Sequence, residues 1–166
     1  MQTFLPAPDF DESARVLDSR RLGKQRVEAL QVLRALTREQ YGWKHHPAVK
    51  MWAGCEEALA AYALAMCREW RRRGYADTVD DTVRRDAALA GIVEIRPQSA
   101  IAAAGDLPAW LGDDALHLSH RAALVRKEPF HYAELFPDVV DDQIPYVWPA
   151  GRPPADLPAS QAMMAL

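Results

Sequence analysis

The sequence has almost no cysteine, no long apolar run and no large excess of either charge, and each scarcity removes a class of protein. Its only cysteines are Cys55 and Cys67. On one helix they would stand about 18 Å apart, far beyond disulfide reach. Free thiols suit a reducing compartment, and without a Cys-x-x-Cys pair they are poor metal ligands. No stretch approaches the roughly 18 apolar residues of a membrane span. The opening Met1-Gln2-Thr3-Phe4-Leu5-Pro6 lacks the basic-then-apolar order of a secretion signal. These features predict a cytoplasmic protein that does not bind a membrane. The formal net charge is −3, so any nucleic acid must meet a local patch and not a polycation. No phosphate-binding loop, dinucleotide fingerprint or nucleophile elbow is present.

What the sequence does have is helical periodicity. Its 166 residues are 49% hydrophobic, enough for one core and too few for two ordinary domains. We expect an all-α fold: a single compact helical domain over 1–150, followed by an irregular, proline-rich and flexible tail over 151–166. After an extended start broken by Pro6 and Pro8, Asp9 and Glu12 form a capping box for a short helix to about Leu17. Ser19 caps a longer helix over 20–37. Leu22, Ala29, Leu30, Leu33 and Leu36 share one side of it. Arg20, Arg21, Lys24, Gln25, Glu28 and Gln31 share the other. Gly23 within it costs roughly 1 kcal/mol against alanine, unless it marks close approach of another backbone or a ligand. Tyr41 to Pro47 reads as a loop, and Pro47 starts a short helix over 48–53. The clearest helix covers 56–73, with Gly74 as its stop. A weaker one covers 82–92, and 96–112 is ambiguous. Asp113 or Asp114 caps a helix through Lys127, and Pro129 starts a last one ending near Phe136.

Charge is unevenly spread. Between Arg15 and Lys50 there are nine Lys/Arg and three acids, and Arg71, Arg72 and Arg73 form a second basic cluster. From Asp113 onward eight acids face four bases. The basic stretch is either a solvated helix face or a phosphate-facing side. Tyr41, Trp43, His45, His46 and Trp52 lie within or just beyond it, and rings beside cations suit stacking on an unpaired base. The same rings could be core packing. Glu28 is the one acid between Ser19 and Arg38. It is either half of a helical pair with Lys24 or a carboxylate placed where positive charge builds. Cleavage of an N-glycosidic bond builds such charge on the sugar. His117-x-x-His120 has the spacing of two metal ligands but lacks a convincing third, so a structural role or a phosphate contact is expected there and no metal.

Leu22-Gly23-Lys24-Gln25-Arg26-Val27-Glu28 resembles the first-helix motif of the pyrimidine-dimer DNA glycosylases, the phage endonuclease V family. There a leucine and a small residue precede an Arg-Glu pair whose Glu is catalytic. Arg26 matches the arginine, and Glu28 the glutamate with a slip of one residue. His46-Pro47, Trp52-Ala53-Gly54 and Cys67-Arg68-Glu69-Trp70-Arg71-Arg72-Arg73-Gly74-Tyr75 resemble the second block. His120-Arg121-Ala122-Ala123-Leu124, Lys127-Glu128-Pro129 and Tyr132 resemble the C-terminal helix. Pro145-Tyr146-Val147-Trp148-Pro149 is similar to a closing segment of a bacterial branch. The resemblance covers about residues 1–149.

The resemblance implies a DNA repair glycosylase that excises a damaged pyrimidine from double-stranded DNA as a monomer, without a cofactor. The lesion would be a pyrimidine dimer, or uracil or a similar base. Glu28 would be catalytic. Arg20, Arg21, Lys24, Arg26, Lys44, His45, His46, Arg121 and Lys127 would bind DNA, and Gln25, Trp43 and Trp52 would line the lesion pocket. In the phage enzyme the amine exposed by removing the initiator Met attacks the sugar carbon. Gln2 is bulky enough to keep Met1 in place. The attacking group is therefore the Met1 amine, the Lys24 amine, or water with no covalent step, which leaves strand-cleaving lyase activity open. The other reading is a helical DNA- or RNA-binding module without catalysis, which has no use for a carboxylate inside its basic helix.

Overall fold

A computed structural model describes residues 1–153. Among these there are eight helices and no strand. They are α1 (Phe10–Val16), α2 (Ser19–Thr37), α3 (Pro47–Lys50), α4 (Glu56–Arg72), α5 (Val79–Leu89), α6 (Gln98–Ala103), α7 (Asp114–Lys127) and α8 (Pro129–Tyr132). The all-α expectation holds, and none of these helices is long and apolar enough to cross a membrane.

Helix α4 is the hub. Residues 58–67 are buried without interruption, as expected of a helix that is apolar all round. Its alanines let α1, α2, α5 and α6 pack against it. The close approach anticipated at Gly23 of α2 is to a ring: a Cβ there would stand 3.2 Å from Trp70 of α4. Gly74 ends α4 in the left-handed conformation at φ +88. The Tyr75 N–H then returns to the Trp70 carbonyl, and the two rings stack at 4.1 Å. This is the glycine C-terminus expected of a helix stop, with its apolar clasp.

Several boundaries move for local reasons. Asp18, not Ser19, caps α2: its carboxylate accepts the Arg21 N–H at 2.9 Å. α5 begins at Val79, not Thr82, because the Asp77 carboxylate accepts the Val79 N–H at 3.0 Å. The ambiguous 96–112 stretch contains α6, anchored to the N-terminal segment where the Gln98 amide donates to the Pro8 carbonyl at 2.8 Å. α8 is a single turn that ends at Tyr132, short of Phe136.

The irregular C-terminal chain is tied down as far as it is described. The Val147 N–H donates to Ser119 Oγ, and the Gly151 and Arg152 N–H groups donate to the Lys50 and Ala53 carbonyls. A Cβ on Gly151 would meet the Lys50 carbonyl at 2.5 Å, so only glycine fits beneath this contact. Of the tail expected over 151–166, residues 154–166 lie outside the described residues.

Candidate active site

The site begins with an extended segment that has no secondary structure of its own. Residues 2–6 are buried, so their backbone groups must find partners. Side chains supply them. The Phe4 N–H donates to Gln25 Oε1 at 2.8 Å, and the Phe4 carbonyl accepts from the Tyr62 hydroxyl at 2.8 Å. The Leu5 N–H donates to His120 Nδ1 at 2.9 Å, and His117 Nδ1 lies 2.8 Å from the Leu5 carbonyl. The Pro6 carbonyl accepts from Arg121, and Trp52 Nε1 donates to Thr3 Oγ1 at 2.9 Å. Helices α2, α4 and α7 therefore grip one strand-like segment and deliver Met1 to a fixed place. The His117-x-x-His120 motif has the structural role expected for it.

These histidines carry a pH prediction. Burial lowers the His120 imidazole to about 3, against an ordinary value near 6.5. The unfolded chain therefore binds a proton between pH 6.5 and 3 that the folded chain refuses, so stability falls as pH drops through that window. Between pH 6.5 and 4 the loss should be roughly 3 kcal/mol. His120→Asn keeps an acceptor for the Leu5 N–H and does not titrate. Its melting temperature should fall less over this range than the wild type's; parallel curves would remove His120 as the cause.

Met1 lies at one end of a cleft of about 420 Å³, which Gln2, Phe4, Arg20, Arg21, Lys24, Gln25, Glu28, Lys127 and Tyr146 also line. The Glu28 carboxylate has a side chain 18% exposed and is aimed by Gln25. The Gln25 Nε2 donates to Glu28 Oε2 at 3.0 Å and to the Gln2 carbonyl at 3.0 Å. Its Oε1 accepts from both the Phe4 N–H and the Tyr62 hydroxyl. Gln25 is buried and both ends of its amide are committed, so it holds Glu28 in place at the cleft. The Lys24 ammonium stays loose, 3.9 Å from Glu28 on a side chain 68% exposed.

Ion pairing sorts the cations. Arg26 bonds Asp77 and lies over the Trp70 ring. Arg34 and Arg38 share Asp86, Arg72 and Arg73 share Glu69, and Arg71 reaches Asp80. Arg121 is held by Asp138. At the cleft, Arg20 and Lys127 make no ion pair among the described residues. Arg21 is tethered: Asp18 accepts from Arg21 Nη1 at 2.6 Å and from the Tyr132 hydroxyl at 2.6 Å. Burial opposes ionisation of Asp18, but these hydrogen bonds outweigh it and hold the carboxyl at about 2. The same network pins α8 to the start of α2.

Of the residues singled out in the sequence, Met1, Arg20, Arg21, Lys24, Gln25, Glu28 and Lys127 meet at the cleft. Others do not. Arg26 and Arg121 are spent on carboxylates elsewhere. Trp52 is a core residue, with rings of Phe10, Tyr62 and Trp110 around it, so the core alternative holds for it. Lys44 and His45 sit on the loop before α3, outside the cleft lining. His46 caps α3 through Nδ1. Its imidazole is lowered by burial and by the Met1 ammonium, with Glu28 opposing, and it is not among the residues that line the cleft. Trp43 is 66% exposed and set edge-on to His46, with a backbone φ of +70 that non-glycine residues rarely adopt. Gln2 and Tyr146 line the cleft without having been singled out for it. Gln2 stood out only for its bulk, and Tyr146 only as part of the closing aromatic block.

The arrangement brings a fixed carboxylate, the N-terminal Met1 and cations that make no ion pair among the described residues to one open cleft. Chemically, it can hold a polyanion on these cations while a positive charge develops at the carboxylate. A family model described as pyrimidine dimer DNA glycosylase matches residues 1–83, half of the chain. That stretch contains the N-terminal segment, α1 to α4 and the cleft residues from Met1 to Glu28. No match was found among curated proteins or solved structures.

Proposed function

The chain belongs to the pyrimidine dimer DNA glycosylase family, and from that premise we propose that it cleaves the N-glycosidic bond of a dimerised pyrimidine in duplex DNA, with Glu28 as the catalytic carboxylate. The observation that supports this most is the Gln25-held Glu28 in a cleft also lined by Arg20 and Lys127, which make no ion pair among the described residues. These cations bind the phosphates on either side of the lesion. The lesion turns inward, and as the C1′–N1 bond stretches, the sugar gains positive charge that Glu28 stabilises.

The Met1 α-amine is the nucleophile in this reading. Met1 and Lys24 both line the cleft with Glu28, but the Lys24 side chain is 68% exposed, and an α-amine is by nature less basic than a lysine amine. Its nitrogen bonds to C1′ while the C1′–N1 electron pair leaves with the base. One amine proton is lost and the other passes to O4′ as the C1′–O4′ bond opens, which gives an imine, from which strand cleavage by β-elimination follows.

Incubation of ultraviolet-irradiated duplex with the protein, followed by alkali and a sequencing gel, tests the reading. Breaks should appear at adjacent pyrimidines, and borohydride should trap a protein–DNA link that survives Lys24→Ala. A duplex containing uracil distinguishes the alternative lesion. Binding without glycosidic-bond cleavage in either duplex would leave the non-catalytic binding module. Cleavage without trapping would put water in place of the amine.

A further inference from the structure

We propose that Gln2 is a second catalytic residue of this site, donating a hydrogen bond through its side-chain amide to O2 of the departing pyrimidine. The inference rests on the glycosylase reading above and adds to it the group that receives the negative charge.

The Gln2 residue is 8% exposed and lines the cleft. Its amide orientation is set from within: Oε1 accepts the Thr3 N–H at 3.0 Å, and turning the amide over would oppose two donors. The NH₂ end is thus the free one, and it is a buried donor with no hydrogen-bond partner. Leaving such a group unsatisfied is costly. The Tyr146 phenol lies beside it without meeting hydrogen-bond geometry. The neighbouring Gln25 offers no help, since both ends of its amide are taken. One buried donor in the cleft is therefore held for something that enters it.

Position identifies the acceptor. The Gln2 carbonyl and the Glu28 carboxylate accept from the same Gln25 Nε2, each at 3.0 Å. The Gln2 backbone consequently sits next to the carboxylate proposed to face C1′, and the residue lines the same cleft. The pyrimidine atom closest to the scissile bond that can accept a hydrogen bond is O2, on the carbon next to N1. When the C1′–N1 bond breaks, its electron pair stays on N1. In an intact pyrimidine that charge spreads through C5=C6 to O4 as well as to O2. In a dimer joined through C5 and C6 this double bond is gone, so O2 alone shares the charge with N1. A fixed donor at O2 gains strength as the bond breaks, which is the condition for lowering the barrier. Gln2 transfers no proton; N1 of the cleaved pyrimidine, which stays joined to its neighbour through C5 and C6, takes one from water.

Gln2→Leu and Gln2→Glu both keep a bulky second residue, so retention of Met1 is unaffected. In single-turnover cleavage of the glycosidic bond of a dimer-containing duplex, read as alkali-labile breaks, Gln2→Leu should lose about 10²–10³-fold in rate while its affinity for that duplex stays within about threefold. Melting curves check the fold, and Gln2→Met replaces the leucine variant if that variant melts early. Gln2→Glu removes the donor only while the introduced carboxyl is ionised. Its rate relative to wild type should therefore rise about tenfold or more from pH 8 to pH 5, a signature that a packing role would not produce. A leucine variant within about threefold of wild type overturns the inference, as does a flat rate ratio for Gln2→Glu. Lost affinity with an unchanged rate would make Gln2 a phosphate contact and overturn it equally. If the wild-type protein cleaves no glycosidic bond, the glycosylase reading fails first and this inference with it.

Discussion

Glu28→Gln is expected to slow glycosidic-bond cleavage, read as alkali-labile breaks, by about 10³-fold while leaving affinity for a dimer-containing duplex unchanged or slightly higher. The substitution is isosteric, and an amide oxygen can still accept from Gln25 Nε2, the 3.0 Å contact that places the side chain. What disappears is the negative charge. An ionised carboxylate among Arg20, Arg21, Lys24 and Lys127 weakens the hold on phosphates, so a protein that only bound DNA would gain by losing it. A glycosylase loses the group that offsets charge on the sugar in the transition state. Single-turnover cleavage and competitive binding, measured on the same duplex, separate the two effects. Cleavage within about threefold of wild type would remove Glu28 from catalysis. Full loss of affinity would show that Glu28 holds up the cleft and does not act in it.

Much of the helical architecture was legible because local physics decides it. Asp9 capping α1, Asp113 capping α7, Pro47 opening α3 and Gly74 closing α4 are short-range signals, and each acts where the sequence put it. The site was legible only where it lies on one helix. Glu28, Lys24, Arg20 and Arg21 share α2, and the family resemblance at 22–28 pointed to the same helix. Gln25 was read as part of a polar face exposed to a lesion. That face is covered by the N-terminal segment, and no periodicity in α2 announces a strand-like segment laid across it. Arg26 reads locally as a phosphate contact, yet its partner Asp77 lies beyond two further helices in the chain. Arg34 and Arg38 likewise meet Asp86 of α5. Partners this distant are set by tertiary packing, so counting charges along the chain overstated the basic face. Trp52 illustrates the same limit for rings, since a tryptophan beside cations and one in a core look alike until the neighbours are known.

That sorting of cations supports the last expectation. Reversing Arg20, Lys24 and Lys127 together to glutamate should weaken DNA binding several-hundred-fold at about 0.1 M salt. It should also flatten the salt dependence by about 0.9 in log–log slope for each phosphate no longer neutralised. Each phosphate neutralised releases counterions, so affinity falls with salt in proportion to the number of cations engaged. Arg20 and Lys127 have no carboxylate within ion-pair distance among the described residues, and Lys24 has one only at 3.9 Å. They can turn to phosphate without breaking anything in the fold. The arginines of the 71–73 cluster cannot, because Arg71, Arg72 and Arg73 are already bonded to Asp80 and Glu69. Moving Arg72 and Arg73 to DNA would leave the nearly buried Glu69 without its partners, and moving Arg71 would leave Asp80 with Arg84 alone. Arg72→Ala should therefore leave the salt slope unchanged. Filter binding or fluorescence anisotropy across a salt series gives the slopes directly. An unaltered slope for the triple variant, together with a flattened one for Arg72→Ala, would move the DNA face from the Glu28 cleft to the end of α4 and separate it from the proposed chemistry.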